Sequence, residues 1–288
     1  MRAPTFARGR PPPPDGPPRI KFGPGRRVSG VPALFFATNR RARGMPGAMF
    51  QLDFENDAAK LILNRPEARN AIPAAGWAEL EAVLGRVVAI DARLLLISGA
   101  GGTFCAGADL ADFKAMRADP AAIARFRLDM RSALDRLREL AIPTIALIEG
   151  DCYGAGVALA MACDLRLAAQ GAHFAITPAK LGISYPQEDV CRLVELVGPG
   201  QAARLLFSAQ PIRSEEARQI GLVDDWLANE ALLVPQLLAN DRESLATLKD
   251  AIRRAASGVR QDPDMDARFD ALIAGEAMAR RLEALRGK

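Results

Sequence analysis

Apolar and polar residues alternate over Phe50 to Phe54 and again over Lys60 to Asn64. Two such runs joined through Asn56-Asp57 predict a β-hairpin. From Pro73 to Ile90 the spacing of apolar positions lengthens to a helical period. Pro73 falls near the first turn, where a missing N–H costs little. Leu94-Leu95-Leu96-Ile97-Ser98 is a short β-rich run, and Asp109 to Met116 and Pro120 to Leu140 read as helices. Pro143 to Glu149 reads as a strand running through a small-residue turn into an apolar helix, followed by short strands at Leu165 to Ala168 and His173 to Ile176. From Gln187 onward the pattern is mostly helical, with Ser214-Glu215-Glu216 as an N-cap and acidic first turn. Strands alternating with helices predict the α/β class.

Two junctions in this pattern carry chemistry. Gly99 to Leu110 and Gly150 to Asp164 are each strand, glycine-rich turn and helix start, about 47 residues apart. Small residues let a ligand approach the backbone, and the first N–H groups of a helix have no intrahelical acceptor. Each turn is suited to donate to an oxygen that carries negative charge. The same residues also suit a purely structural turn, so the composition of either junction alone does not decide. Asp109 stands where an N-cap or first-turn acid favours the helix dipole.

Composition narrows the classes. Half of the 288 residues are hydrophobic, yet none of the apolar runs reaches the length of a membrane span. Cys105, Cys152, Cys163 and Cys191 show no paired spacing and are expected to be buried free thiols in a reducing compartment. A single histidine, His173, excludes a multi-histidine metal site and a histidine-based triad. Residues 1–44 hold nine of the 20 prolines and ten Lys and Arg against Asp15 alone. The basic pI near 9.1 therefore comes from this segment, and the rest of the chain is acidic. We expect residues 1–48 to be a disordered Pro/Arg-rich tail or an over-extended start. The charge run lacks the interleaved aromatics of a nucleic-acid-binding segment. A dinucleotide motif fails because Phe104 stands where G-x-G-x-x-G needs its last glycine. Neither a Walker A lysine nor a G-x-S-x-G elbow is present.

The phrases Leu63 to Ala71, Phe104 to Asp109, Gly150 to Asp164, Phe174 to Gly182 and Ile212 to Asp224 together resemble the enoyl-CoA hydratase/isomerase (crotonase) superfamily. The resemblance covers roughly residues 50–285, in the family's order. It implies an α/β fold of stacked ββα units over residues 49–240, then a helical trimerisation segment over 241–288. It further implies a homotrimer or dimer of trimers, acting in the cytoplasm on an acyl-CoA. No cofactor or metal is implied, since CoA arrives as part of the substrate, and neither nucleic acid nor membrane is an expected partner. The thioester oxygen would meet the amides of Ala108 and Ala155, with Ala106, Gly107 and Gly154 shaping the approach. Arg65 and Arg69 lie on the loop that in relatives runs near the nucleotide end of CoA. Lys249, Arg253 or Arg254 would meet its phosphates, and Asp112, Arg117 and Arg127 would flank a lid or channel. Asp164 is expected to be structural.

Hydratases of this family use two glutamates to move protons through a bound water. In this sequence those positions are Ala158 and Pro178, and neither side chain can move a proton. Thr177 to Pro186 instead resembles the matching segment of methylmalonyl-CoA decarboxylase, including its Thr-Pro pair and a tyrosine matching Tyr185. Ala108 and Ala158 depart from that relative, which has a histidine and a glutamate there. The resemblance thus implies decarboxylation of a 2-carboxyacyl-CoA through a thioester enolate, with Tyr185 orienting the carboxylate or returning the proton. One alternative is hydration or isomerisation with Glu188, Asp189 or Tyr185 as substitute acids. Another is a non-catalytic CoA-binding assembly protein.

Overall fold

The computed structural model describes residues 48–286, so the expectation for residues 1–48 falls almost wholly outside it. The hairpin forms as β1 (Phe50–Glu55) and β2 (Ala58–Leu63), antiparallel, with Asn56 and Asp57 both at positive φ. That backbone matches the twist of paired strands and suits these two residue types. Chain order continues with α1 (Ala74–Ala89), β3 (Leu94–Gly99), α2 (Leu110–Met116), α3 (Pro120–Glu139), β4 (Thr144–Ile148), β5 (Asp151–Tyr153), α4 (Ala155–Ala162), β6 (Leu165–Ala168) and β7 (His173–Ala175). Then come α5 (Gln187–Ser208), β8 (Ile212–Arg213), α6 (Ser214–Gln219), β9 (Asp225–Trp226) and α7 (Glu230–Ala239). Three helices end the described chain: α8 (Arg242–Ala256), α9 (Pro263–Ala274) and α10 (Glu276–Arg286).

A six-stranded sheet runs β1-β2-β3-β4-β6-β9 and is parallel from β2 onward. Its central strands are covered on both faces, which explains why β3 and β4 are continuous apolar runs rather than alternating ones. Leu95, Ile97, Ala146 and Ile148 join the main core with Trp77 and Leu134 of the helices. Leu94, Leu96, Ile145, Leu147 and Leu167 turn to the other face, against Val234, Leu233 and Leu237 of α7. A second, three-stranded sheet, β5-β7-β8, carries the following junction.

Buried polar groups fasten the frame. Arg166, 2 % exposed, donates to the carbonyls of Leu222 and Cys163 and pairs with Asp224 at 2.6 Å, sealing β6 to the turn before β9. Removing Asp224 would leave the buried Arg166 charge uncompensated, at a cost of about 3–5 kcal/mol. Asp164 accepts from Thr144 N and Oγ1 and from Lys249 Nζ at 2.8–3.0 Å, the structural role expected of it.

Several expectations need correction. The chain does not run from β4 straight into the helix: β5 intervenes, because Asp151 to Tyr153 finds a parallel partner in β7. β8 and β9, two residues each, interrupt the C-terminal helical pattern and are too short to show a period. Arg213, not Ser214, occupies the cap of α6; the buried Ser214 hydroxyl accepts from Gly171 N instead. Cys191 is exposed on α5, whereas Cys105, Cys152 and Cys163 are buried and free. No helix of the described residues is long and apolar enough to cross a membrane.

Candidate active site

The two junctions meet. Cys105 and Cys152 pair as a parallel bridge, with Cys105 N donating to Asp151 O and Tyr153 N to Cys105 O. This lays the first turn along β5, immediately before the second. A Cβ built on Gly107 would sit 3.4 Å from Ala155 N and 3.0 Å from Tyr153 O, so the turns approach to backbone distance.

The direction of each amide follows from local bonding. Ile72 N donates to Gly107 O and Asp109 N donates to Ile72 O, closing a parallel bridge centred on Ala108. In such a bridge the N–H of the central residue faces away from its partner strand. Ala155 opens α4, so its N–H has no intrahelical acceptor. Gly154 before it has φ 50° and ψ −117°, a backbone that side chains with a Cβ strongly disfavour. Two N–H groups without an acceptor among the described residues thus stand at adjoining turns, one at the N-terminal end of a helix whose dipole favours negative charge there.

Polar clamps hold the first turn. Asn70, fully buried, donates from Nδ2 to Ala100 O at 2.9 Å and Thr103 O at 2.7 Å, and accepts from Arg65 N at 2.9 Å. Arg65 reaches Asp109 at 2.6 Å and Ala71 O at 3.2 Å, while Asp109 caps α2 by accepting from Ala111 N. The hydrogen bond from Arg65 holds the Asp109 carboxyl below its usual range. The sequence offers Asn70 only as part of a motif phrase; its positive φ, which asparagine tolerates better than most residues, emerges only in the folded turn.

Ala158 and Pro178, expected to match the two hydratase glutamates, bring no acid to the junction. Ala158 is buried in the first turns of α4, and Pro178 opens a 3₁₀ turn over Pro178–Leu181. Thr177 Oγ1 lies 3.8 Å from where a Gly154 Cβ would stand. Tyr185 is buried beside the same turn, but its hydroxyl donates to Gly154 O at 3.0 Å. The hydrogen expected to serve a carboxylate or the α-carbon is therefore engaged by the backbone in this structure. Burial first, and Asp189 second, push its pKa well above the ordinary tyrosine value, so it stays a donor.

Asp189 is buried on the first turn of α5 and pairs with Arg131 at 3.1 Å; Arg131 also holds Asp135 at 2.8 Å. Burial raises the Asp189 pKa and the facing guanidinium opposes that rise. Its Oδ2 has no partner among the described residues. Glu188, next to it, is exposed.

The outlying charges are largely committed. Lys249 donates to Ile142 O and Asp164, Arg253 pairs with Asp250, and Arg254 pairs with Asp250 and Asp262. Asp112 accepts from Ala74 N at 2.6 Å and so caps α1. Arg69 is exposed, 3.9 Å from Asp151. Ala106 N donates to Arg69 O, which ties that loop to the first turn.

The family model for "Enoyl-CoA hydratase/isomerase" matches residues 53–280. Over 237 residues the chain is 32 % identical to the short-chain-enoyl-CoA hydratase of Clostridium acetobutylicum, covering 79 % of this chain and 88 % of that protein. It is 31 % identical over 174 residues to the ethylmalonyl-CoA decarboxylase of Xenopus laevis, 60 % of this chain and 58 % of that one. Among solved structures, an enoyl-CoA hydratase/isomerase family protein from Hyphomonas neptunium superposes with a TM-score of 0.79 at 34 % identity, covering 83 % of this chain and 95 % of that one.

Proposed function

Since the chain belongs to the enoyl-CoA hydratase/isomerase family and has the crotonase fold, we propose that it decarboxylates a 2-carboxyacyl-CoA of the methylmalonyl-CoA type. The observation that carries this reading is the pair Ala158 and Pro178, which leaves the two hydratase acid positions without a proton carrier beside two intact amide donors. The likeness to an ethylmalonyl-CoA decarboxylase supports it.

Decarboxylation asks less of the site than hydration does. The substrate thioester oxygen lies between the N–H groups of Ala108 and Ala155. The C–CO₂ bond, held perpendicular to the thioester plane, breaks heterolytically; CO₂ leaves and the electron pair becomes an enolate on the thioester. The two amides stabilise that oxygen, each such donor contributing roughly 10²–10³ in rate. A proton from water then adds to the α-carbon and gives the acyl-CoA. Apolar neighbours such as Ala158 offer the departing carboxylate no stabilising partner.

The test is one mass-spectrometric assay of the full chain against methylmalonyl-CoA and crotonyl-CoA. Propionyl-CoA and CO₂ without 3-hydroxybutyryl-CoA is the expected result. Rapid hydration of crotonyl-CoA would overturn the reading. Hydration is the second reading because the Clostridium relative is a hydratase. It would need Asp189, the buried acid with an unpartnered oxygen, as its proton carrier. Under the decarboxylase reading Asp189→Asn changes the rate less than about threefold, whereas loss of a general acid costs roughly 10²–10⁴.

We also propose a homotrimer or dimer of trimers joined through the C-terminal helices. α8, α9 and α10 leave Leu248, Ile252, Phe269 and Leu285 exposed, more apolar surface than a solvated helix needs.

A further inference from the structure

The Tyr185 hydroxyl and the Ala155 amide stand at opposite ends of one peptide group. Gly154 O accepts from Tyr185 Oη at 3.0 Å, from Val157 N at 2.9 Å and from Ala158 N at 3.3 Å. The Gly154 carbonyl and the Ala155 N–H share a rigid plane, so whatever fixes the oxygen also aims the hydrogen. Glycine at φ 50°, ψ −117° gives this peptide little orientational preference of its own. The two backbone donors belong to the first turn of α4 and are present at ordinary helix starts. Tyr185 supplies the one side-chain bond to this carbonyl among the described residues.

The bond also acts electronically. A carbonyl that accepts a hydrogen bond shifts its amide toward the resonance form with positive nitrogen, and the N–H becomes a stronger donor. Low local polarity enlarges such coupling, and Tyr185 is buried. Because its one hydrogen is taken up by the backbone, the hydroxyl has no further proton to donate to the substrate.

We propose that Tyr185 is a positioning residue: by donating to the Gly154 carbonyl, it aims and polarises the Ala155 amide toward the thioester oxygen without touching substrate. The proposal rests on the oxyanion role assigned above to that amide.

The experiment records the infrared stretch of the thioester carbonyl in ¹³C-labelled butyryl-CoA, which lacks a 2-carboxylate, bound to the full chain. In wild type the band is expected to lie at lower frequency than in water. Tyr185→Phe should return part of that displacement. Replacing Tyr185 with 3-fluorotyrosine, whose more acidic hydroxyl is a stronger donor, should deepen it. With methylmalonyl-CoA, Tyr185→Phe should lower kcat by about tenfold, the value of roughly one hydrogen bond, while KM moves less than about twofold. A structural role alone would leave the carbonyl band of the folded variants unchanged. A displaced wild-type band that neither substitution moves overturns the Tyr185 proposal and leaves the oxyanion reading standing. A wild-type band with no displacement overturns both. If Tyr185→Phe fails to fold, the fluorotyrosine arm still decides, since it keeps the side chain's shape within one fluorine.

Discussion

The two junctions present equivalent groups but are held by opposite means. At the first, Ala108 N–H is set by an extended bridge to Ile72, and the turn before it is tied by side chains of Asn70, Arg65 and Asp109. At the second, Ala155 N–H depends on a glycine conformation that few residues can adopt, with Tyr185 the one side-chain donor to the Gly154 carbonyl among the described residues, and seven of the eight residues of α4 are buried. Side-chain clamps are separable: one can be lost and the others remain. A peptide aimed by glycine backbone in a packed surround has fewer ways to relax. The second junction should therefore be the more brittle of the two.

Gly154→Ala gives the sharpest contrast. The Cβ either stores strain of about 1–3 kcal/mol or rotates the peptide away, and in the second case one of the two proposed oxyanion donors is lost. Decarboxylation should fall roughly 10²–10³-fold with the far-ultraviolet circular dichroism unchanged. If the rate holds within about threefold of wild type, the Gly154–Ala155 peptide is not a donor.

Asn70→Ala should act on stability before rate. It strands the carbonyls of Ala100 and Thr103 and the Arg65 N–H at a partly buried turn. A loss of about 3 kcal/mol follows, or roughly 6–12 °C in Tm. A melting curve matching that of wild type would mean the clamp is dispensable.

Arg65→Ala should be milder, about 0.5–1 kcal/mol, because the pair is partly exposed. Its pH dependence is distinctive. Asp109 has its pKa lowered on folding, so the pair's contribution is complete above the ordinary carboxylate value of about 3.9. It is lost as pH falls through the depressed native pKa. The Tm gap between wild type and variant should be constant at neutral pH and close in acid; a gap that widens in acid would contradict the assignment.

Much of this difference was legible in the sequence where structure is local. The hairpin, the long helices and both small-residue junctions follow from period and turn chemistry, because neighbours in the chain supply the relevant bonds. β5, β8 and β9 were not legible, since strands of two or three residues exist only through partners elsewhere in the fold. The clamp residue Asn70 was hidden for the same reason: its bonds reach 30 and 33 residues along the chain. Tyr185 stands out in the sequence as a candidate, but its hydroxyl donates to a carbonyl 31 residues away, a partner that no local pattern reveals. Identity marks a group as present; only the packed fold says which way it points.

The measurement that bears most directly on the two-amide site is the affinity of the full chain for butyryl-CoA against S-butyl-CoA, its thioether without the carbonyl oxygen. Two hydrogen bonds to that oxygen, at about 1 kcal/mol each, give the thioester at least a tenfold lower Kd. Gly154→Ala should shrink that ratio more than Arg65→Ala does. Equal binding of the two ligands by wild type would mean that neither amide meets the thioester oxygen, and the account would fail at its centre.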